Sequence, residues 1–513
     1  MGAMTLVSRI LGMARDIVSA NAFGTSWQWD AFLYAFMIPN FLRRIVGEGA
    51  FSSAFIPVYN EVLHKEGQEA AFHFVNVTVT VLMTLLTLLI LFAELVLTGL
   101  LQGHFLSPTL RLTCDLLRYL FPYLWFVSIW ALSMGVLNSH RHFFTSALGP
   151  IILNLAWIMG ILVILPRTDR GINHELVILA IVICVGGMVQ LALELPPLYR
   201  LGFRPRWIFD FAAPGLKKMG QLVLPSLLTF AIFQVNITID MTLGLWIGPG
   251  ANSSLWYGTR LMQLPLGVFA VAAGSAILPA AARQGAAANL EETSSIISFA
   301  LRGIFLIVLP CAVGLMVLSR PIVQLLFERG HFDAESTRRT AAVLWCYSLG
   351  LFAYSGQKIL NNGFYAVQDT RTPMQLGAFS LICNIVLNLL LIKPLAEAGL
   401  ALSTSISGIL QFALLIFLYH RRVVALDLRG TTWSFLKIFL ASLAMGAVGA
   451  LVFQRFQQAI PAKGMMPCLL RVSSAILIAA ASYPFFCFLF GVREMTGIVR
   501  KGIARIFPGI NLR

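Results

Sequence analysis

Charge is scarce in this chain. Of its 513 residues only 12% are charged and 58% are hydrophobic, a composition too apolar for an ordinary soluble protein and typical of a protein that crosses a membrane many times. The net charge of +15 does not indicate a nucleic-acid partner, because the basic residues are scattered through short loops and tails. The seven cysteines lie in or beside apolar runs, at no spacing that predicts a metal site or disulfides.

Several catalytic and targeting motifs are also missing. The sequence has no glycine-rich phosphate loop followed by Lys-Ser/Thr, no nucleophile elbow and no His-rich metal motif, so it is predicted not to be an enzyme and to have no resident cofactor. No cleaved signal peptide is expected, because the start lacks a cationic region and Arg9 interrupts the first apolar stretch. Without a phosphate loop, any step that needs energy would be driven by Na⁺, by H⁺ or by the membrane potential, or the process would run downhill.

The apolar runs predict an all-α polytopic membrane protein. With roughly 20 apolar residues per span, the chain holds about fourteen transmembrane helices, among them 112–138, 338–366, 373–393 and 397–420. Two motif pairs recur at nearly the same separation, EGAFSSAFIP with VAAGSAILP and VLNSHRHFFTSALGP with ILNNGFYAVQDTRTP. The recurrence predicts two pseudo-symmetric lobes of about six helices each, followed by two C-terminal helices. The predicted divisions are an N-lobe at 1–210, a C-lobe at 211–425, the last two helices at 426–492 and a basic tail at 493–513.

Basic residues predict the orientation. Lys and Arg cluster at 200–218, at 421–429 and in the tail after 493. Cytoplasmic loops carry the excess of Lys and Arg in membrane proteins. Both termini are therefore predicted to be cytoplasmic.

The first two apolar segments contain charged and polar side chains. On a helix with about 100° per residue, the polar side chains of the first segment occupy roughly a third of the circle. Charge inside a span is costly and marks a transport path, although a helix lying on the membrane surface would show the same pattern. The polar side chains are Ser8, Arg9, Arg15 and Asp16 in the first segment, and Asp30, Asn40, Arg43, Arg44 and Glu48 in the second.

A further arginine, Arg260, lies in the repeat copy of the second helix and is predicted to project from the opposite lobe. Guanidinium groups present a planar fork that matches phosphate oxygens. We therefore predict an anion-binding chamber lined by Arg9, Arg15, Asp16 and Arg260, with Asp16 orienting Arg15. Ser8, Asp30, Asn40, Arg43, Arg44 and Glu48 form a predicted gating and cavity set. Arg44 and Glu48 are also spaced for a simple i,i+4 salt bridge.

A second polar group is predicted in the C-lobe. One carboxylate with neutral oxygens suits Na⁺, or a proton on the carboxylate, although buried amides also serve as ordinary hydrogen bonds between helices. The candidate ligands are Asp240, Asn384, Asn388 and Thr404.

These motifs resemble a known family. SRILGMARD, WDAFLYAFMIPNFLRRIVGEGAFSSAFIPVY, WYGTRLMQLPLGVFAVAAGSAILP and GFYAVQDTRTP are similar to the MurJ (MviN) family of bacterial lipid II flippases, which belong to the MOP transporter superfamily with MATE exporters. The resemblance covers nearly the whole chain. It implies a multi-pass protein of the bacterial inner membrane that moves undecaprenyl-pyrophosphate-linked peptidoglycan precursor, lipid II, from the cytoplasmic to the periplasmic leaflet during cell-wall biogenesis.

The resemblance also implies roles for particular residues. The last two helices would hold the lipid tail, and lipid II, membrane lipids and the cell-wall synthesis machinery would be partners. Asn388 stands where relatives that bind Na⁺ have a second carboxylate, and Gln263 stands where some relatives have Glu, so local pairing differs here. The residues that correspond to functionally important charged positions are Arg9, Arg15, Asp16, Asp30, Arg43 and Arg260.

Four alternatives stay open at this point: a flippase for another polyprenyl-linked oligosaccharide, a MATE-type drug exporter, a membrane glycosyltransferase, and a non-transporting membrane scaffold, which would give the buried arginines no role. An exporter of cationic drugs should line its chamber with carboxylates, whereas this one has an excess of Arg. A glycosyltransferase needs an exposed acid/base carboxylate, for which Glu175 and Asp333 qualify by location alone.

Overall fold

The computed structural model describes residues 2–43, 50–103, 106–168, 171–210, 213–267, 290–460 and 464–495. All secondary structure in these ranges is helical, so the predicted all-α class is confirmed. Seven described helices are long and apolar enough to cross a membrane, or eight if one bent pair counts as a single span. The predicted number of about fourteen spans is not confirmed by that criterion.

The chain forms two compact units. The first comprises Met1–Ser253 with Arg329–Phe332, and the second comprises Ser254–Glu328 with Asp333–Arg513. These units are defined by compactness rather than by the sequence repeat. The predicted lobe boundaries at 210 and 425 therefore stay predictions.

Ten helices are described for the first unit, and a π-helical turn (Gly160–Ile164) and a 3₁₀ turn (Leu165–Arg167) extend the seventh of them. They are α1 (Gly2–Phe23), α2 (Trp27–Arg43), α3 (Ala50–Glu66), α4 (Gln68–Gln102), α5 (Pro108–Leu120), α6 (Tyr123–Ser139), α7 (Phe143–Met159), α8 (Ile172–Ala192), α9 (Leu195–Arg200) and α10 (Pro214–Ile247).

The next helix, α11 (Ala251–Pro265), begins in the first unit and continues into the second. The remaining described helices belong to the second unit. They are α12 (Leu290–Val317), α13 (Ser319–Phe327), α14 (Ala334–Leu349), α15 (Leu351–Ala366), α16 (Arg371–Arg422), α17 (Leu428–Ala459) and α18 (Met465–Leu489).

Helix α4 shows how polar residues are accommodated in a membrane helix. Its outer face exposes leucine and phenylalanine side chains, with Leu95 72% exposed, as expected where lipid replaces water. Three threonine hydroxyls donate to the carbonyl oxygen one turn earlier, for example Thr80 to Asn76 O at 2.8 Å and Thr84 to Thr80 O at 2.8 Å. These bonds satisfy the hydroxyls inside the helix.

Two helices predicted as continuous are broken. The predicted helix 112–138 is α5 followed by α6 with a bend of 47°, because Pro122 has no N–H to continue the ladder. The predicted helix 338–366 is divided at Gly350 into α14 and α15. By contrast, the predicted break between 393 and 397 is confirmed, since Ala396 in α16 has φ 49° and ψ −130°.

One predicted repeat motif contains the same kind of turn in each unit, but the two turns fall at positions that the motif alignment does not pair. Between α6 and α7, Arg141 has φ 63° and the next residue donates its N–H to Leu137 O at 2.8 Å. Between α15 and α16, Gln368 has φ 61° and the next residue donates to Phe364 O at 3.0 Å. The other repeat pair cannot be compared in this way, because its second copy at 271–279 lies outside the described residues.

A stack of aromatic rings forms the core around α1, α2 and α7. The Phe23 and Trp29 rings stack with centroids 4.8 Å apart, and Trp29 stacks on Phe32 at 5.0 Å. Trp157 of α7 meets Phe36 edge to face at 5.1 Å. All five rings are buried. Their packing holds the polar face of α1 against α7.

Residues 329–332 dock on the turn between α1 and α2. The His331 N–H donates to Asn21 O at 3.0 Å. The two segments approach each other at glycines with positive φ, Gly24 at 59° and Gly330 at 56°. A Cβ at Gly24 would lie 2.2 Å from His331 O, so only glycine permits this contact.

Asp333 begins α14 as its N-cap. The backbone N–H and then the hydroxyl of Ser336 donate to its carboxylate and hold the pKa of Asp333 below its ordinary value. The folded chain therefore gains stability above the carboxyl's unfolded pKa and loses it as the pH falls through the folded pKa. We expect Asp333→Ala to destabilise the protein by about 1 kcal/mol near neutral pH, and the difference to vanish in acid. Melting temperatures measured against pH would test this.

Asp333→Asn is the matched control, because asparagine caps a helix nearly as well and does not titrate. It should melt close to the unchanged protein at neutral pH. Equal melting of the alanine variant and the unchanged protein at every pH would contradict the assignment.

Candidate functional site

Arg15 and Asp16 form a buried ion pair on α1. The Nη2 and Nε of Arg15 donate to Asp16 Oδ1 at 2.8 and 3.1 Å, and the two residues are only 7% and 2% exposed. An arginine taken out of water needs a partner. Asp16 supplies it at one edge of the guanidinium, as the sequence predicted.

Helix α7 holds the rest of the guanidinium. Arg15 Nη1 donates to Asn154 Oδ1 at 3.2 Å, and the Asn154 amide donates to the backbone oxygen of Ser8 at 3.2 Å. The indole of Trp157 lies against the guanidinium, 4.8 Å from Cζ to the ring centroid. Three of the five N–H groups of Arg15 thus have partners. The position of the side chain is set by ion pair, amide and aromatic face together.

Ser19 completes the arrangement. Its hydroxyl donates to Arg15 O at 2.9 Å and accepts from Trp157 Nε1 at 3.1 Å. Sequence reasoning missed Asn154, Trp157 and Ser19. A signal was present, because an amide in the apolar run of α7 with a tryptophan one turn later is unusual and places both on one face.

Arg9 differs from Arg15. It is half-buried and, among the described residues, forms no hydrogen bond or ion pair. Since Asp16 neutralises Arg15, Arg9 leaves this face of α1 with a net positive charge. The face can therefore attract an anion, and the guanidinium of Arg15 is already oriented to bind one.

The carboxylate of Asp30, a residue of α2, lies at the N-terminus of α11. Its Oδ1 accepts from the Ser253 N–H at 2.7 Å and from the Ser253 hydroxyl, and its Oδ2 accepts from the Gly250 N–H at 2.5 Å. The carboxylate is 2% exposed. A negative charge suits a helix N-terminus, where backbone N–H groups lack partners. The structure thus gives Asp30 a capping role, and its predicted gating role stays a prediction.

The rest of the predicted gating set is only partly described. Arg43 Nε donates to Asn40 Oδ1 at 3.0 Å within the last turn of α2. Ser8 contributes its backbone oxygen to Asn154. Arg44 and Glu48 lie outside the described residues, so their predicted pairing stays a prediction.

Arg260 is placed on α11, in the second unit. Its guanidinium lies over the Trp256 ring, 4.4 Å from the centroid, one helical turn earlier. The side chain is half-buried. Its predicted convergence with Arg15 on one chamber stays a prediction.

The candidate cation ligands are divided between the units. In the second unit, Asn384 donates to Thr404 Oγ1 at 3.2 Å and accepts from Asn388 at 2.9 Å. Asp240 belongs to the first unit. Among the described residues no group of three or more His, Cys, Asp or Glu side chains could hold a metal ion. The Na⁺ site stays a prediction.

Buried charge on a helix of a many-helix apolar chain is the arrangement of a membrane transporter. The chain is similar in fold to an inward-facing multidrug resistance MATE transporter of the MOP superfamily, with a TM-score of 0.65 and 12% identity, covering 81% of this chain and 94% of that one.

Residues 19–469 match the family model of the lipid II flippase MurJ. A probable lipid II flippase MurJ of Vibrio cholerae serotype O1 is 35% identical over 510 residues, 96% of this chain and 95% of that protein. A solved lipid II flippase MurJ in an inward closed conformation has a TM-score of 0.78 at 27% identity, covering 95% of this chain and 98% of that one. The chain belongs to the MurJ family, which confirms the resemblance noted from its motifs.

Proposed function

We propose that this chain moves lipid II from the cytoplasmic to the periplasmic leaflet of the bacterial inner membrane by alternating access. Family membership across most of the chain supports the substrate. The observation that supports the mechanism is the buried, preoriented guanidinium of Arg15, on the same helix as Arg9, which forms no ion pair in the described part of the chain. Membership of a flippase family also agrees with the prediction that the chain is not an enzyme.

The pyrophosphate is the part of lipid II that resists transfer across a low-dielectric layer, because a multiply charged anion loses its hydration there. Arginine can replace that hydration with charge-assisted hydrogen bonds. Arg9 attracts the diphosphate to α1. The phosphate oxygens then exchange with the Asp16 carboxylate for the Nε–Nη2 edge of Arg15, while Asn154 and Trp157 keep the guanidinium in place. Arg260 of the second unit contacts the anionic headgroup as well.

The proposal extends to the lipid tail, the orientation and the driving force. Exposed leucines on α17 and α18, such as Leu451 and Leu477 at 60% and 68%, offer an apolar surface for the polyprenyl tail. Basic clusters support cytoplasmic termini. The driving force is Na⁺ at Asp240, Asn384, Asn388 and Thr404, a proton, or the membrane potential. The cell-wall synthesis machinery is a proposed partner.

The test is translocation in vesicles containing the purified chain, with lipid II labelled in one leaflet. We expect transfer to the other leaflet, and a loss of about tenfold or more in Arg260→Ala, since a charge-assisted bond contributes about 1.5–3 kcal/mol. Arg421→Ala, which removes an exposed arginine, is the matched control. Transfer of another polyprenyl-linked oligosaccharide but not lipid II would overturn the proposed substrate. Full transfer by Arg260→Ala would remove that residue from the mechanism.

A further inference from the structure

A buried carboxyl group lies between α8 and α9, away from the groups used above. Glu194 is 0% exposed. Among the described residues it forms no ion pair, and neither of its carboxyl oxygens has a hydrogen-bond partner. An isolated ionised carboxylate in such a place costs far more than a neutral one.

The surroundings of Glu194 are polar but uncharged. Gln190 lies one turn earlier on α8 and faces the same side. The Ser146 hydroxyl of α7 faces the carboxyl group, just outside hydrogen-bond geometry. Trp130 of α6 and the Gln190 amide converge on Gly149, where an added Cβ would lie 2.5 Å from Trp130 Cζ2 and 2.6 Å from Gln190 Nε2. Three helices thus enclose one polar cluster.

The cluster has more hydrogen-bonding atoms than bonds. Besides the two Glu194 oxygens, Gln190 Oε1, Ser146 Oγ and Trp130 Nε1 are buried without a partner in the described structure. Groups of this kind are normally satisfied by a proton, by each other after small rotations, or by an internal water.

No charged group on the helices packed around Glu194 is placed to neutralise it. The ionisable residues at the ends of these elements, or further along them, are Tyr123 on α6, His140, Arg141 and His142 between α6 and α7, His174, Glu175 and Cys184 on α8, and Tyr199 and Arg200 on α9. Tyr199 and Arg200 are exposed. None of them bonds to the carboxyl group.

We propose that Glu194 is a proton-binding site, in which the protonated carboxyl shares hydrogen bonds with Gln190, Ser146 and Trp130 inside the α6–α7–α8 packing. The carboxyl O–H donates to Gln190 Oε1, and the remaining oxygen accepts from Ser146 or Trp130. Release breaks the O–H bond, transfers the proton to water and leaves one negative charge on the carboxylate. A metal cation suits the cluster less well, because Glu194 is the one carboxylate named in it and the indole nitrogen of Trp130 can only donate.

The infrared spectrum of the full chain in lipid nanodiscs tests the site directly. We expect a carboxylic-acid C=O band at neutral pH that is lost in Glu194→Gln and kept in Glu69→Gln, which changes an exposed glutamate of α4. The unmodified chain provides an independent readout, since its band should disappear reversibly as the pH is raised. Absence of any carboxylic-acid band in the unmodified chain at neutral pH would overturn the proposal.

Thermal unfolding gives a second readout. The folded chain holds a proton that the unfolded chain releases in neutral water, so the folded-to-unfolded ratio should fall about tenfold per pH unit from this group alone. Glu194→Gln should remove that slope, whereas Glu69→Gln should retain it. Equal slopes in all three proteins contradict the site. Stabilisation of the unmodified chain by NaCl, absent with KCl and absent in Glu194→Gln, would show a cation site and overturn the proton assignment.

Discussion

Replacement of Arg15 by alanine is expected to reduce lipid II translocation by at least about tenfold in vesicles. The guanidinium is the one basic group in the described part of α1 held by an ion pair, an amide and an aromatic face at once. Loss of two charge-assisted bonds to a phosphate, at about 1.5–3 kcal/mol each, exceeds the 1.4 kcal/mol that corresponds to a factor of about ten.

A control must separate binding from folding. Arg15→Ala removes an ion-pair partner of the buried Asp16 carboxylate, which costs about 3–5 kcal/mol in stability. The double variant Arg15→Ala with Asp16→Ala removes both charges and should fold better than the single variant, yet still fail to transport. Arg15→Lys keeps the charge and loses the planar fork, so it should transport poorly.

Arg118→Ala is the matched control for charge, because it removes an exposed arginine whose partner, Glu94, is also exposed. It should transport normally. Full transport by the double variant at Arg15 and Asp16 would show that this pair serves the fold alone.

Replacement of Asp30 by alanine is expected to lower the free energy of unfolding by about 3 kcal/mol or more. Two backbone N–H groups and one hydroxyl at the start of α11 would lose their acceptor in a buried place, and each unsatisfied buried donor costs about 1–3 kcal/mol. The melting temperature in detergent or nanodiscs would report the loss. The melting temperature of Asp30→Asn should lie between those of Asp30→Ala and the unchanged protein, because asparagine keeps an acceptor and loses the charge that favours the helix N-terminus.

Asp427→Ala is the comparison. Asp427 caps α17 through the Gly430 N–H at 2.9 Å but is exposed, so its removal should cost about 1 kcal/mol. Asp30→Ala that melts like Asp427→Ala would contradict the burial argument. A stable Asp30→Ala protein that fails to transport would instead support the gating role predicted from the sequence.

How far the sequence predicts this site depends on the range of the interactions. The polar face of α1 could be predicted, because helical periodicity relates Arg9, Arg15 and Asp16 within a few turns. The break between 393 and 397 was predicted from the lengths of the two apolar runs, and it lies at Ala396. The bend at Pro122 was not predicted, although proline interrupts a helix. The apolar run continues through Pro122, and the prediction was based on the length of that run.

Contacts between distant segments were a different matter. Asn154 and Trp157 support Arg15 from a helix 139 or more residues away, and Asp30 caps a helix 220 residues later in the chain. No local pattern specifies which amide meets which guanidinium. The Glu194 cluster could not be predicted for the same reason, since the sequence pattern of one glutamate near the end of an apolar helix is typical of a residue at the membrane interface.

The sequence by itself determined that the chain is helical, that it lies in a membrane, and that its first helix has a charged face, because composition and periodicity express the cost of placing polar groups in lipid. In the described part of the chain, tertiary structure alone decided that Arg15 has an ion-pair partner while Arg9 has none, that Asp30 accepts hydrogen bonds from a helix start, and that Glu194 has no counter-charge. Those outcomes depend on which side chains are in contact across helices. Burial increases the free energy of each polar contact and the cost of each polar group left without one.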